Sequence, residues 1–396
     1  MHIDYTPEQY DLRNHLKSYF SQLITPEIRE KIRGSEGGGL SGKLYKDIIR
    51  QMAKDNWLAV GWPKEYGGQG LSAMEQLIFF QEARLAGAPI PFVTLNTVGP
   101  ALIEHGSEEH KALFLPAIAA GEIHFAIGYS EPGAGTDLAA LKTSAVRDGD
   151  EYIINGTKVF TSGAEGADYI WLAVRTDPEA PKHKGISIFI VDTKTPGFSY
   201  APINTVGDVR TNITYYDNVR VPASMLIGEL NGGWQLITSQ LNHERIGLAA
   251  FSIYGVGLFE KVQRWASETN ISNSTQSIAD QPWVQSTLAE AHCRLEAMRL
   301  MILRMAEAMD KQKVDPAFAS AIKIYSTECL IEVYRLLLEV VGYTGLLKAG
   351  STGAAIQGEL EREYRQCQIN TFGGGVNEVQ RDLVARFGLK MIAGKQ

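Results

Sequence analysis

The residues best equipped for chemistry fall in four short stretches. Gln240-Leu241-Asn242-His243-Glu244-Arg245 sets a carboxylate beside a guanidinium. A positioned carboxylate can take a proton from a reacting group. Read alone, Glu244 is an exposed helical carboxylate, Arg245 is half of a structural ion pair, and His243 is a packing residue. In Gly128-Tyr129-Ser130-Glu131-Pro132-Gly133-Ala134-Gly135-Thr136-Asp137, Ser130 and Thr136 offer hydroxyls. Gly133 and Gly135 let backbone be approached closely. Alone, such a Gly/Pro-rich stretch reads as a surface loop. Phe160-Thr161-Ser162 joins an aromatic face to two hydroxyls, although Phe160 by itself reads as a core aromatic. Thr371-Phe372-Gly373-Gly374-Gly375-Val376-Asn377-Glu378-Val379-Gln380-Arg381 holds three glycines that can present backbone N–H groups, with one carboxylate, Glu378, further along.

The elements that position these stretches change character twice. The first ~120 residues carry helical periodicity. Thr6-Pro7-Glu8-Gln9 predicts a capped start, with proline at the first helical position and Gln9 closing a capping box. Leu12, Leu16, Tyr19, Phe20 and Leu23 then share one face, and Leu44, Ile48, Met52 and Leu58 resume the pattern after a glycine-rich loop at 34–39. From His124 to Gly228 the pattern is strand-like. Asp148-Gly149 and Asn155-Gly156 predict hairpin turns, flanking strands at Tyr152–Ile154 and Lys158–Thr161. Further strands are expected at Tyr169–Arg175 and Ile186–Asp192, and Val219-Arg220-Val221-Pro222 closes the region. Helices return from Asn231, with Asp315-Pro316 starting a long amphipathic one through Leu338. The expected parts are 1–122 (helical), 123–230 (β) and 231–396 (helical), an α+β fold with segregated layers.

Composition narrows the function classes. The chain has 396 residues and 44% apolar side chains, ample for a large core. Net charge is −7 with scattered Lys and Arg, which argues against a nucleic-acid partner. The three cysteines, Cys293, Cys329 and Cys367, are far apart and read as buried thiols in a reducing compartment, not a disulfide frame or metal site. No apolar run is long enough for a bilayer, and the first residues are not a signal peptide. The expectation is a soluble cytoplasmic protein.

This order of elements and these motifs resemble the acyl-CoA dehydrogenase family over nearly the whole chain. The N-terminal element Gly61-Trp62-Pro63-Lys64-Glu65-Tyr66-Gly67-Gly68 and the Tyr129–Asp137 stretch carry the likeness, as does the C-terminal Gln380-Arg381 segment. The resemblance implies an N-terminal helical domain, a central β-barrel-like domain and a C-terminal four-helix bundle, with FAD as cofactor. Tyr129, Ser130, Gly135 and Thr136 would lie along the isoalloxazine, and Phe160, Thr161 and Ser162 would complete its cradle. Phe160 stands where the family commonly has Trp.

Family enzymes draw a proton from the carbon next to a thioester carbonyl while hydride leaves the next carbon for flavin. Many keep their catalytic Glu where this chain has Gly374, so the base is absent there while the N–H that helps hold the enolate oxygen is kept. Glu244 occupies the alternate base position seen in the branched-chain members; Glu378 matches a family Glu that is not the base. Arg245, Asn242 and Thr136 would line the substrate mouth. The family's Arg-x-x-Phe-Gly and its following Gln, which reach a neighbour's FAD diphosphate, are replaced by Asn270–Thr275 and Pro282. Glu339 also stands where a charge would repel that diphosphate. The pattern resembles the base-bearing subunit of the two-plus-two bacterial acyl-CoA dehydrogenases of sterol side-chain degradation. It implies a steroid-CoA substrate, a different dehydrogenase-like subunit completing the FAD site, and an electron-transfer flavoprotein-type acceptor. A catalytically silent scaffold, a short branched-chain acyl-CoA dehydrogenase, an acyl-CoA oxidase and a simple acyl-CoA binding module, against which the flavin cradle speaks, are the competing readings.

Overall fold

A computed structural model describes residues 4–33, 41–240 and 252–391. Six helices lead: α1 (Pro7–Leu23), α2 (Pro26–Arg33), α3 (Gly42–Lys54), α4 (Ala73–Ala86), α5 (Gly99–His105) and α6 (Glu108–Ala119). The Thr6 capping box forms as its residues predict, and Leu16 and Phe20 are buried on the expected face of α1. Ser72 and Glu75 build a second box at α4. There the Asp310 carboxylate also accepts from Ala73 N–H at 2.5 Å. A carboxylate at a helix N-terminus meets the positive end of the helix dipole, so this contact ties the first and last helical layers together.

Eight strands follow: β1 (Phe125–Gly128), β2 (Ser144–Asp148), β3 (Glu151–Lys158), β4 (Tyr169–Arg175), β5 (Ile186–Asp192), β6 (Phe198–Asn204), β7 (Arg210–Pro222) and β8 (Leu226–Ile227). They form one sheet in the order β6-β7-β3-β2-β4-β5-β8, with β1 parallel to β4. β6 and β8 stand at its two ends, so the sheet does not close as a barrel. β4 and β5 read as unbroken apolar runs because both of their faces are buried. Ile170, Leu172, Val174, Phe189 and Val191 pack inside the β layer. Trp171, Ala173, Ile188 and Ile190 face the helical core.

Two sequence expectations fail here. Asp148-Gly149 does turn the chain between β2 and β3, with Gly149 at φ 63°. Asn155-Gly156 does not. β3 runs straight through it, paired to β7 with a bulge between Ile154 and Gly156. Gly156 has φ 154°, and a Cβ there would sit 2.5 Å from Thr143 Oγ1. The dipeptide serves a close strand approach and not a turn, and the strand ends at Lys158, before Phe160.

The remaining helices are α7 (Ile253–Glu268), α8 (Pro282–Asp310), α9 (Pro316–Val341), α10 (Glu359–Cys367) and α11 (Asn377–Leu383). Residues 233–240 are helical as well. α7, α8 and α9 pack on one another. Asp315 caps α9 through Ala317 N–H, as the Asp-Pro start predicts. Cys329 and Cys367 are buried, but Cys293 is exposed, against expectation, because it lies on the outer face of α8. Among the described residues no helix is long and apolar enough to cross a membrane, and no cluster could hold a metal ion.

Candidate active site

The loops leaving β1 and β3 are stitched side by side. Val159 N–H donates to the Ser130 carbonyl at 2.8 Å, which brings the Tyr129–Thr136 stretch against Phe160. Glu131 and Ala134 exchange backbone bonds of 2.9 and 3.1 Å, closing the Pro-Gly turn. The Glu131 carboxylate accepts from Lys142 and Thr143 N–H at 2.7 and 2.8 Å. It also pairs with Lys158 Nζ at 2.9 Å. Lys158 is wholly buried and donates to the Tyr129 carbonyl as well, at 2.9 Å. Burial pulls its ammonium down to about 8 against the attraction of Glu131. Burial alone would push the Glu131 carboxyl up, but Lys158 and the bond from Thr143 hold it below its usual value. Two buried charges with every partner in place fix this loop. Tyr129 is held from its other end, accepting from Trp171 Nε1 at 3.1 Å and donating to Gln240 Oε1.

Phe160 is the unusual residue of the site. Its φ is 62°, a conformation an aromatic residue rarely adopts. Its side chain is 64% exposed, so it is not the core aromatic that the residue alone suggests. Its neighbours impose this. Thr161 N–H donates to the Asn212 carbonyl at 2.9 Å, Asn212 Nδ2 returns a bond to the Thr161 carbonyl at 3.1 Å, and the Thr161 hydroxyl meets Thr214 at 3.2 Å. Thr161 is therefore fully used inside the β layer, and its part is to hold Phe160 outward, not to face a ligand. Ser162 is exposed, with its hydroxyl 3.0 Å from that of Thr211.

This loop pair fits a flavin ring. The hydroxyls of Ser130 and Thr136 bond no described residue. A Cβ at Gly133 or Gly135 would meet nothing within 4 Å, and neither glycine has a positive φ, so the protein's own packing does not require them. Their use is to leave room for a neighbour. Phe160 adds a flat apolar wall, and a wall with a few polar groups is what orients a bound ring.

The C-terminal turn lies apart in sequence and is secured to α9. Gly373 N–H donates to the Ile369 carbonyl at 2.8 Å, and Gly374 and Gly375 have φ of 66° and 99°. Gly374 N–H donates to no described residue. Glu378 is exposed on α11. Asn242, His243, Glu244 and Arg245 lie outside the described residues, so their placement is not part of this geometry. At the other expected departure, Asn270–Thr275 forms a tight turn and Pro282 opens α8. Glu339 is paired to Arg335, which also holds Glu332, so its charge is partly compensated within α9 and the expected repulsion is weakened.

Sequence reasoning missed Lys158, Asn212, Gln240 and Lys323, whose partners lie far away in sequence. For Lys158 a signal existed: by simple alternation it shares the inward face of β3 with Tyr152 and Ile154.

Three family models cover the chain: acyl-CoA dehydrogenase N-terminal domain over residues 6–122, middle domain over 126–219 and C-terminal domain over 231–389. With the fold and the cradle, they establish that the chain belongs to the acyl-CoA dehydrogenase family, whose members are flavoenzymes. It is 50% identical to acyl-CoA dehydrogenase FadE26 of Mycobacterium tuberculosis over 395 residues, 98% of each chain. It is 48% identical to FadE29 of the same organism over 392 residues, 99% of each. Among solved structures it superposes on a Tcur3481-Tcur3483 steroid ACAD with a TM-score of 0.94 at 50% identity, covering 100% of both chains. A chain of the ChsE4-ChsE5 complex from Mycobacterium tuberculosis gives 0.93 at 49%, again over 100% of both.

Proposed function

We propose that this chain is the base-bearing subunit of a heteromeric, FAD-dependent acyl-CoA dehydrogenase acting on a steroid side-chain CoA thioester. The observation that carries the reading is the cradle: an exposed Phe160, held at positive φ, beside the Ser130 and Thr136 hydroxyls, which bond no described residue, and unconstrained glycines. The steroid substrate and the unlike partner are supported by 50% identity across the full chain to a structure described as a steroid ACAD, and by the likeness to a two-component complex.

In this reading the parts are residues 1–122, 123–230 and 231–396. Tyr129, Ser130, Gly135, Thr136, Phe160 and Ser162 hold the isoalloxazine, with Thr161 behind Phe160. Bound flavin supplies an acceptor for the hydride leaving the β-carbon. The Glu244 carboxylate takes the α-proton, and the substrate gains a carbon–carbon double bond. Gly374 N–H donates to the thioester oxygen, where enolate charge develops and a donor is worth most. Asn242, Arg245 and Thr136 receive the substrate at the mouth. Gln240, four residues before Glu244 in sequence, is anchored to the cradle through Tyr129. An electron-transfer flavoprotein-type carrier removes the electrons.

The test is anaerobic mixing of the co-purified complex with steroid-CoA and short branched acyl-CoA thioesters, following the visible flavin band. Bleaching by steroid-CoA is expected, and Glu244→Gln should slow it by roughly 10²–10⁴-fold with flavin retained. Undiminished bleaching in that variant removes Glu244 from the mechanism. Bleaching by neither thioester leaves a silent scaffold, and bleaching by the short thioester alone replaces the steroid substrate.

A further inference from the structure

The turn that carries Gly374 has little to stiffen it from within. Gly374 and Gly375 both adopt positive φ, and glycine backbone is the freest of all. Its rigidity must come from its ends, and one side chain grips both. Lys323, half-buried on α9, donates from Nζ to the Thr371 carbonyl at 3.0 Å and to Asn377 Oδ1 at 2.7 Å. Asn377 is 2% exposed. Its Nδ2 donates to Thr327 Oγ1 and Glu328 Oε1, each at 3.0 Å. Arg381, one turn along α11, closes the cluster on Glu328 at 2.7 and 2.8 Å.

From this we infer that Lys323 is a positioning residue: its ammonium clamps the two flanks of the Phe372–Val376 turn and so fixes where Gly374 N–H points. The inference rests on the proposed role of that N–H. The cluster is a poor stability device. Burial lowers the Lys323 ammonium to about 8, against the pull of Glu378 and Glu328, so holding a charge here opposes folding. Packed apolar side chains in place of the whole cluster would commonly serve stability as well or better. What an apolar side chain cannot do is hold two oxygens on either side of a glycine turn.

The test uses the flavin-loaded complex with the partner subunit. In Lys323→Met, hydrogen–deuterium exchange of the 371–376 backbone should rise. kcat should fall by roughly 10- to 100-fold, the usual penalty of a misplaced donor, with KM changed by less than about threefold and flavin content kept. Lys323→Arg, which retains two-pronged donation, should recover most of kcat. Asn377→Ala cuts the same clamp at its other end, so adding it to Lys323→Met should cost less than the product of the single effects. Unchanged exchange in Lys323→Met overturns the clamp. Raised exchange with unchanged kcat overturns its catalytic relevance. A Glu244→Gln control should lose activity with exchange at 371–376 unaltered, so failure of the base assignment and failure of the clamp give different results.

Discussion

Phe160 shows how one residue can be wrong for its backbone and right for its site. A side chain at positive φ is strained by roughly 1 kcal/mol or more, and an exposed aromatic ring recovers little of that by burial. Phe160→Gly should therefore be nearly neutral for the apo-protein, within about 1 kcal/mol, because relief of strain offsets the entropy that glycine adds to the unfolded chain. Flavin affinity should fall at least roughly tenfold, since the ring loses its wall. Thermal melts of the apo-protein and a fluorescence titration with FAD measure the two effects separately. A large loss of stability would mean that Phe160 serves the β layer. Phe160→Trp, the residue common in the family, should keep the flavin.

At the scale of elements, Gly156, opposite the bulge in β7, sets the course of the strand that leads into the cradle. Gly156→Ala places a methyl 2.5 Å from Thr143 Oγ1 and 2.7 Å from its Cα, on a backbone that disfavours side chains. We expect a loss of roughly 2 kcal/mol or more, read as a lower urea midpoint. A variant of native stability would show that the strand re-registers. β1 opens on another tuned contact. His124 is 5% exposed against the Tyr45 ring, and burial lowers its imidazole to about 4, with Asp168 opposing and Lys46 and Arg50 assisting. An unfolded histidine takes up its proton near 6.5. Between those values the unfolded chain binds more protons, so this group's contribution is intact above pH 6.5 and is lost as pH falls towards 4. The loss amounts to ~3 kcal/mol. Melting temperature should decline over that window, and His124→Phe should flatten the decline without harming stability at neutral pH. These two elements also show what a sequence can disclose. β4 and β5 were legible to the residue because burial on both faces writes itself as an apolar run. The Asn-Gly pair was misread because the same dipeptide suits a turn and a bulge, and only the pairing with β7 selects between them. The Ser130 and Phe160 stretches were legible as motifs. The Glu131–Lys158 pair that locks them was not, because its members lie 27 residues apart and neither is unusual alone.

At the scale of the whole molecule, the C-terminal part leaves several large apolar side chains in the open. Tyr343 is 91% exposed, and Leu346, Phe372, Phe387, Leu389 and Met391 are each at least 60% exposed. Exposed apolar side chains mark a partner surface where they join in one contiguous patch. Tyr343 and Leu346 follow directly on α9, beyond Glu339, in the segment whose family counterpart serves the FAD diphosphate. If an unlike subunit completes that face, the chain expressed alone should hold little FAD. Co-expression with a dehydrogenase-like chain that carries Arg-x-x-Phe-Gly should restore about one flavin for each unlike pair. The ion pair of Glu339 with Arg335 sharpens the test. Arg335, shared with Glu332, already offsets part of the Glu339 charge, so Glu339→Gln should leave the lone chain flavin-poor, because the defect is missing donors and not repulsion. Arg335→Met, which frees the Glu339 carboxylate, should weaken flavin binding in the assembled complex at low salt and less so at high salt, as screening predicts. Flavin content from absorbance, with subunit ratio from native mass spectrometry, reads each result. Full loading of the lone chain would show that one sequence builds the entire cofactor site, and the exposed apolar residues would then need a different occupant.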